Sequence, residues 1–299
     1  MVEEEQTGEI DIGRRRVRQL ECMVAEVVAE THDTTTLYLF TGNERLIYEP
    51  GHFLSIEPQQ FKALERWVEF LEDHKGKRET ARAYSLASAP HERHLAITVK
   101  EERYIRGSTR YPPLLSPLLV RRLAPGTRMV VTGFTGPYTF SSELATRTDH
   151  LLHLCAGSGV VPNFSIIKEA LHRGGGPRHT LICTNKTLED VIYRRQLDEL
   201  ARANPERLRV VHLITRDPEA PSRGPNIRRG RLSKELLDEL VDDWSGTRVM
   251  ACGPAATKWE KAAAKSKGEP PPLRFLESTL QLLHKAGVPP DRIHKESYG

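Results

Sequence analysis

The stretch ARAYSLASAP, residues 81–90, places a cation (Arg82) two residues before a phenol (Tyr84), with a hydroxyl (Ser85) beside it. Alternation through Leu86 reads as a strand. A guanidinium, a phenol and a hydroxyl are costly to bury together unless something polar and flat lies against them. A second cluster is CAGSGVVPNFS, where a strand ends at Ala156 and Gly157-Ser158-Gly159 allows close backbone approach before a helix. Free amides at that helix start suit a pyrophosphate, although a plain strand-to-helix turn uses the same glycines. Ser158 is not a nucleophile elbow, because its flanking glycines are one residue too close.

Three further motifs sit at similar places. MACGPAA puts Cys252, Gly253 and Pro254 at a carboxyl strand end, where open α/β sheets bind ligands; read alone, Cys252 is equally a small buried thiol. LITRD ends a strand in Thr215 and Arg216, a pair suited to a phosphate monoester or simply to solvent. In LLSPLLVRRL, Leu115 leads into Ser116, a good N-cap, and Pro117, a favoured first helical residue. That start could offer amides to another phosphate or be a cap and nothing more. HERH, residues 91–94, lacks the spacing of a zinc helix.

The elements that must carry these motifs fall into two groups. Residues 20–58 alternate as short strands, 59–79 switch to helical spacing (Phe61, Leu64, Trp67, Val68, Leu71), and strand texture returns at 81–100 and 127–134. Several short strands with one helical intrusion imply a small antiparallel barrel. From about residue 149 strands and helices alternate, as in a parallel sheet covered on both faces. The polar SSELATRTD marks the boundary. The expected organisation is a disordered tail over 1–19, an antiparallel β-barrel domain over 20–148 with a helical insert at 59–79, and an α/β domain over 149–299.

Composition narrows the function classes. The 299 residues carry a net charge of +4, which favours an acidic protein partner. The basic runs GRRRVR and NIRRGR lack interleaved aromatics, which argues against nucleic acid. The four cysteines, Cys22, Cys155, Cys183 and Cys252, are too scattered for an iron–sulfur cluster or a disulfide framework. No apolar run approaches the roughly 18–20 residues of a membrane span, and the acidic-then-basic start is no signal peptide. A cytoplasmic protein is expected.

Taken in order, R-x-Y-S, V-K, a phosphate-type cap, G-x-x-G-x-Y, A-G-S-G, T-R, C-G-P and a terminal E-S-Y resemble the ferredoxin–NADP reductase superfamily, in particular its oxygenase-reductase branch without a fused ferredoxin. The resemblance covers about residues 20–299. It implies a barrel that binds flavin and an α/β domain that binds NAD(P). The strand of the opening motif would lie against the flavin: Tyr84, with Ala83 beside it, packing on the ring, Ser85 near N5, Arg82 on a phosphate. Thr98, Val99 and Lys100 would touch flavin, and Leu115 and Ser116 would serve the pyrophosphate. Gly157, Ser158 and Gly159 would border flavin and nicotinamide. Cys252, Gly253 and Pro254 would lie near the nicotinamide carbon, Glu296 on a proton path, and Tyr298 over the second flavin face. Thr215, Arg216 and Arg231 would select the 2′-phosphate.

The implied activity is hydride transfer from NADPH, rather than NADH, to FAD, rather than FMN, with Ser85, Cys252 and Glu296 as catalytic residues and no metal. Single electrons would then pass to a ferredoxin or an oxygenase component. Two other readings are open: a flavin reductase or oxidase with no protein partner, and a non-catalytic flavin module. Three features depart from the family pattern. Pro113 stands where a glycine commonly precedes the phosphate-binding serine, an insert occupies 59–79, and a second expansion follows Pro254.

Overall fold

A computed structural model describes residues 18–42, 46–106, 109 and 111–298. Most of the expected tail, 1–17, lies outside these residues. Positions 18 and 19 are already paired in the first strand, opposite Gly133 and Thr132.

The N-terminal sheet has six strands: β1 (Arg18–Thr31), β2 (Thr34–Phe40), β3 (Phe53–Ile56), β4 (Arg82–Ser85), β5 (Leu95–Lys100) and β6 (Arg128–Thr135), in the order β4-β3-β6-β1-β2-β5. All its pairings are antiparallel. A bridge between Leu86 and Ile97, with the Ala87 amide donating to the Ala96 carbonyl at 2.7 Å, joins its two edges into a barrel. Closure removes the free edges that an open sheet would present. Val24, Leu37, Leu39, Leu54, Ile56 and Ile97 are wholly buried inside.

Helix α2 (Ser116–Arg121) seals one end of the barrel with Leu119, helped by Leu115 just before it. The expected cap is corrected here. Ser116 is already the first helical residue, Leu115 holds the cap position, and the serine hydroxyl accepts from the Glu102 amide at 3.1 Å instead. The insert is helical only in part: two 3₁₀ turns precede α1 (Glu65–Lys75), which ends at Gly76 with φ of 64°. That left-handed stop suits glycine. Val68 and Leu71 pack on Leu114, so the insert rests on the segment leading into α2.

The polar boundary hides a short helix, α3 (Ser142–Thr146), capped by Ser141. Beyond it lies a six-stranded parallel sheet of β7 (His150–Ala156), β8 (Arg178–Asn185), β9 (Leu208–Ile214), β10 (Ile227–Arg229), β11 (Thr247–Pro254) and β12 (Ile293–Tyr298), in the order β10-β9-β8-β7-β11-β12. Helices α4 (Val160–Arg173), α5 (Arg194–Ala203), α6 (Lys234–Leu240), α7 (Lys258–Lys267) and α8 (Phe275–Lys285) connect the strands. The chain runs outward from β7 to β10, then returns to β11 on the other side of β7. The gap between the carboxyl ends of β7 and β11 is thus the switch point where such sheets bind ligands.

Candidate active site

The two domains face each other across a cleft of about 450 Å³. From the barrel come Phe53 of β3, Ala83, Tyr84 and Ser85 of β4, and Thr98, Val99 and Lys100 of β5. From the α/β domain come Ser158, Val161 and Pro254, with Glu296 and Tyr298 of β12. Strand geometry explains why β4 serves this wall: Ser85 is buried while Arg82 and Tyr84 are half-buried.

Four side chains converge at the seam. The Tyr298 hydroxyl donates to Ser85 Oγ at 2.6 Å, and Ser85 Oγ donates to Glu296 Oε2 at 3.4 Å. Cys252 Sγ lies 4.0 Å from the same carboxylate oxygen. β12 pairs with β11 so that Cys252 is opposite Glu296 and Pro254 is opposite Tyr298. Burial pushes the Glu296 carboxyl up to about 7, against the hydrogen bond from Ser85. Burial, then the Glu296 charge, pushes the Cys252 thiol well above its ordinary value. A thiol held protonated is a poor nucleophile, so the arrangement suits a proton held near neutrality rather than attack by sulfur.

The glycines set the spacing behind this group. A Cβ on Gly159 would stand 2.1 Å from the Cys252 carbonyl oxygen, and one on Gly253 would stand 2.6 Å from the Phe275 ring. Gly157 has φ of 54°, in the region that glycine favours. The G-S-G turn therefore docks directly on the C-G-P strand end.

Arg82 lies outside the cleft lining, and Lys100 and Thr98 within it are tied to neighbours. Arg82 is held by its neighbours: Nη2 donates to Glu79 Oε2 at 2.7 Å and Nη1 to the Thr80 hydroxyl at 3.1 Å. Glu79 is itself buried and also binds Lys75 of the insert. Lys100 donates to Asp33 at 2.6 Å; burial opposes ionisation of Asp33, but Lys100, Thr31 and Thr34 outweigh it and hold the carboxyl at about 2. Thr98 shares a 2.7 Å hydrogen bond with Thr36 and accepts from Tyr193. Glu79, Asp33 and Phe53 carried no signal in the sequence, since ordinary acidic and aromatic residues become partners only through the fold.

Thr215 and Arg216 follow β9, and Arg231 follows β10, at the carboxyl ends of neighbouring strands. Thr215 Oγ1 donates to the Asn185 carbonyl at 3.1 Å. Arg216, Arg229 and Arg231 are exposed and form no ion pair among the described residues. Asp217 accepts from the Glu219 amide at 3.0 Å and faces Arg223 at 3.8 Å.

The residues present fit a flavin and a pyridine nucleotide. Tyr84 and Tyr298 offer flat apolar faces in the cleft, Ser85 and Glu296 offer polar atoms at its edge, and unpaired guanidinium groups stand along the same carboxyl edge of the sheet, after β9 and β10. Among the described residues no cluster of His, Cys, Asp and Glu could hold a metal, and no helix is long and apolar enough to cross a membrane.

Comparison with known proteins agrees with this geometry. Residues 154–261 match the oxidoreductase NAD-binding domain family. The ferredoxin reductase component of 3-ketosteroid-9-alpha-monooxygenase from Mycolicibacterium smegmatis is 31% identical over 287 residues, 93% of this chain; the chain spans 65% of that relative's length. The flavohem-like FAD/NAD binding domain of nitric oxide dioxygenase from Vibrio cholerae superposes with a TM-score of 0.68 at 20% identity, over 94% of this chain and 98% of that one. Ferredoxin-NADP+ reductase from Plasmodium falciparum, in complex with 2′P-AMP, gives a TM-score of 0.63 at 15% identity, over 94% and 96%. The barrel, the parallel sheet and the motif order agree with these likenesses: the chain has the two-domain fold of the FAD/NAD binding domain and of the ferredoxin-NADP+ reductase on which it superposes, and its residues 154–261 match an oxidoreductase NAD-binding domain.

Proposed function

We propose that the protein is a flavoprotein reductase that oxidises NADPH and delivers electrons to a separate protein acceptor, a ferredoxin or an oxygenase component. The observation that carries this reading is the meeting of Ser85 with Glu296 and Tyr298 across the seam, 211 and 213 residues apart in sequence. A relative matched over 93% of this chain is named as the ferredoxin reductase component of a monooxygenase.

A bound flavin, FAD in this reading, supplies the ability to accept an electron pair from the nicotinamide and release it one electron at a time. The protein's own residues bind, orient and handle the proton. Tyr84 and Tyr298 supply apolar walls. Ser85 sits between the Tyr298 hydroxyl and the Glu296 carboxylate, so it can pass a proton between them. Glu296, with its carboxyl at about 7, is poised to hold that proton at neutral pH. Cys252 acts by position, filling the strand end against the G-S-G turn without opening to solvent.

Use of NADPH rather than NADH is supported by the unpaired Arg216 and Arg231, and by Asp217, which turns toward a backbone amide and Arg223. An NAD-selective site would instead aim a carboxylate at the ribose hydroxyls. The test is an absorbance spectrum of the purified protein followed by anaerobic NADPH or NADH. A flavin spectrum bleached by NADPH at low concentration supports the reading. A colourless protein that takes up no added flavin overturns it. Bleaching with no acceleration of turnover by any protein carrier would leave a flavin reductase and remove the partner.

A further inference from the structure

We infer that Asn163 is a positioning residue for the nicotinamide step: its side-chain amide fixes the G-S-G turn against the Cys252 strand end and ties both to the flavin domain. The inference rests on the reductase reading above.

Asn163 lies in the first turn of α4 and is fully buried. Its Nδ2 donates to the Gly159 carbonyl at 2.8 Å. Its Oδ1 accepts from the Tyr138 hydroxyl at 3.0 Å and lies 2.8 Å from Nδ1 of His153. An amide oxygen only accepts, so His153 carries its proton on Nδ1. Its Nε2 is then free to accept from Nδ1 of His179, 3.0 Å away. Burial keeps both rings neutral, with His153 at about 4. Every polar atom of the asparagine that binds here meets a partner of fixed polarity.

Both ends of this chain press on backbone that has no slack. On one side the missing Cβ of Gly159 is replaced by the Cys252 carbonyl, 2.1 Å from where the Cβ would be, with the Gly253 Cα at 3.0 Å. On the other side a Cβ on Gly51 would stand 2.1 Å from the Tyr138 carbonyl. Gly51 precedes β3, whose Phe53 lines the cleft. A continuous path of contacts therefore leads from the barrel, through Tyr138 and Asn163, to the turn and the strand end where a nicotinamide would enter.

Helix formation does not require this amide. A leucine would supply packing at the same place without the cost of desolvating an amide, but it would leave the Tyr138 hydroxyl and His153 Nδ1 buried without this partner. What the buried network adds, with every polar atom from Tyr138 to His153 paired and only His179 Nε2 at its far end without a partner among the described residues, is a single rigid arrangement. That matters most where two reacting rings must meet, since a displacement of about 1 Å can cost on the order of a hundredfold in rate.

The test uses the full chain with Asn163→Ala, Tyr138→Phe and the double variant. Hydrogen exchange of residues 157–161 is measured on flavin-free protein. Flavin content, the bleaching rate at saturating NADPH and the KM for NADPH follow on loaded protein, at a temperature where each variant is folded. For Asn163→Ala the expected result is about tenfold faster exchange of the turn and a bleaching rate lowered about ten- to a hundredfold, with normal flavin content. The KM should change by less than about threefold, since the lost interaction serves geometry rather than binding. Tyr138→Phe should move both readouts in the same direction by less. The double variant should match Asn163→Ala, because the hydroxyl acts only through the amide. Should Asn163→Ala fail to fold, Tyr138→Phe removes one oxygen and carries the same readouts. Folded Asn163→Ala with wild-type exchange, or with a wild-type bleaching rate, overturns the inference. If wild-type protein takes up no flavin, the reductase reading falls and the nicotinamide role with it, while the exchange measurement still decides whether Asn163 holds the turn.

Discussion

Glu296 is the side chain whose titration reports most directly on the site. Its carboxyl is pushed up to about 7 by burial, so it is protonated below neutrality and ionised above. As the proton holder it should give kcat a limb that falls as pH rises through about 7, and Glu296→Gln should flatten that limb. A wild-type pH profile in the glutamine variant would remove Glu296 from the proton path. Stability carries the same signature. The native carboxyl binds its proton more tightly than the unfolded one, which titrates at 4.5. The contribution of Glu296 to stability therefore falls as pH rises from 4.5 to 7, and Glu296→Gln should be more stable than wild type at pH 8 by on the order of 1–3 kcal/mol.

Arg216 tests nucleotide choice at the same scale. A guanidinium–phosphate contact contributes about 1.5–3 kcal/mol. Arg216→Ala should therefore raise the KM for NADPH roughly ten- to a hundredfold and leave NADH nearly unchanged. Wild-type protein with equal or better kcat/KM for NADH would withdraw the NADP assignment and leave the flavin reading standing.

At the scale of elements, the central strands of the parallel sheet bury a row of imidazoles. His150, His153, His179 and His212 are all at most 6% exposed. Burial lowers the pKa of His150, His153 and His179, the second to about 4, while unfolded histidine titrates at 6.5. Between those values the unfolded chain binds more protons than the native one. The imidazole contribution to stability should therefore be intact above about pH 6.5 and lost as pH falls toward 4, opposite in sign to that of Glu296. Denaturant midpoints of Glu296→Gln, measured from pH 7.5 down to 4.5, check this; a flat series in that variant would mean that the imidazoles are solvated. The insert offers a second expectation. Glu79 holds Arg82 beside the cleft wall, and under the proposed reading Arg82→Ala should weaken flavin binding by roughly ten- to a hundredfold, as loss of a charge-assisted contact does. Normal flavin occupancy in that variant would show that Arg82 serves only to fasten the insert.

These elements also mark what pattern alone could reveal. Long apolar runs such as HLLHLCA and strand-to-helix turns such as AGSG announce the parallel sheet, because burial on both faces and close backbone approach leave strong local marks. β10 and β12 leave weak ones. They are an outer pair of short strands, rich in charge on exposed faces, and their pairing is decided by neighbours far away in sequence. The cap reading of Ser116 failed for a related reason: the hydroxyl found a closer partner in the Glu102 amide, which sequence spacing does not disclose. Cys252, Ser85 and Glu296 were legible as motif members, but the β11–β12 register is what sets Cys252 opposite Glu296, and contact between β4 and β12 across the seam is what adds Ser85.

For the whole molecule, the distribution of charge bears on its partner. Lys258, Lys261 and Lys265 of α7 share one face of the helix at i, i+3 and i+7, are exposed, and form no ion pair among the described residues. The helix starts four residues after Pro254, which lines the cleft, and Trp259 beside them is 41% exposed. Three adjacent like charges cost a few tenths of a kcal/mol per pair on a helix, a cost that steering of an acidic carrier would offset. Raising ionic strength should then slow electron delivery to an acidic protein acceptor. Substituting the three lysines by glutamate should do the same at low salt, and neither change should affect reduction of a small neutral dye. An equal salt response for protein and dye would remove this face from docking.

The seam between Ser85 and Glu296 has a further consequence during synthesis. The two residues are 211 positions apart, so at about 5–20 residues per second the ribosome takes roughly 10–40 s to make the second after the first. Throughout that interval a nascent barrel can already present Tyr84 and Ser85, yet it has no carboxylate to face them. Under the proposed reductase reading, a chain caught half-made would lack its proton holder until the last residues of the polypeptide had been translated.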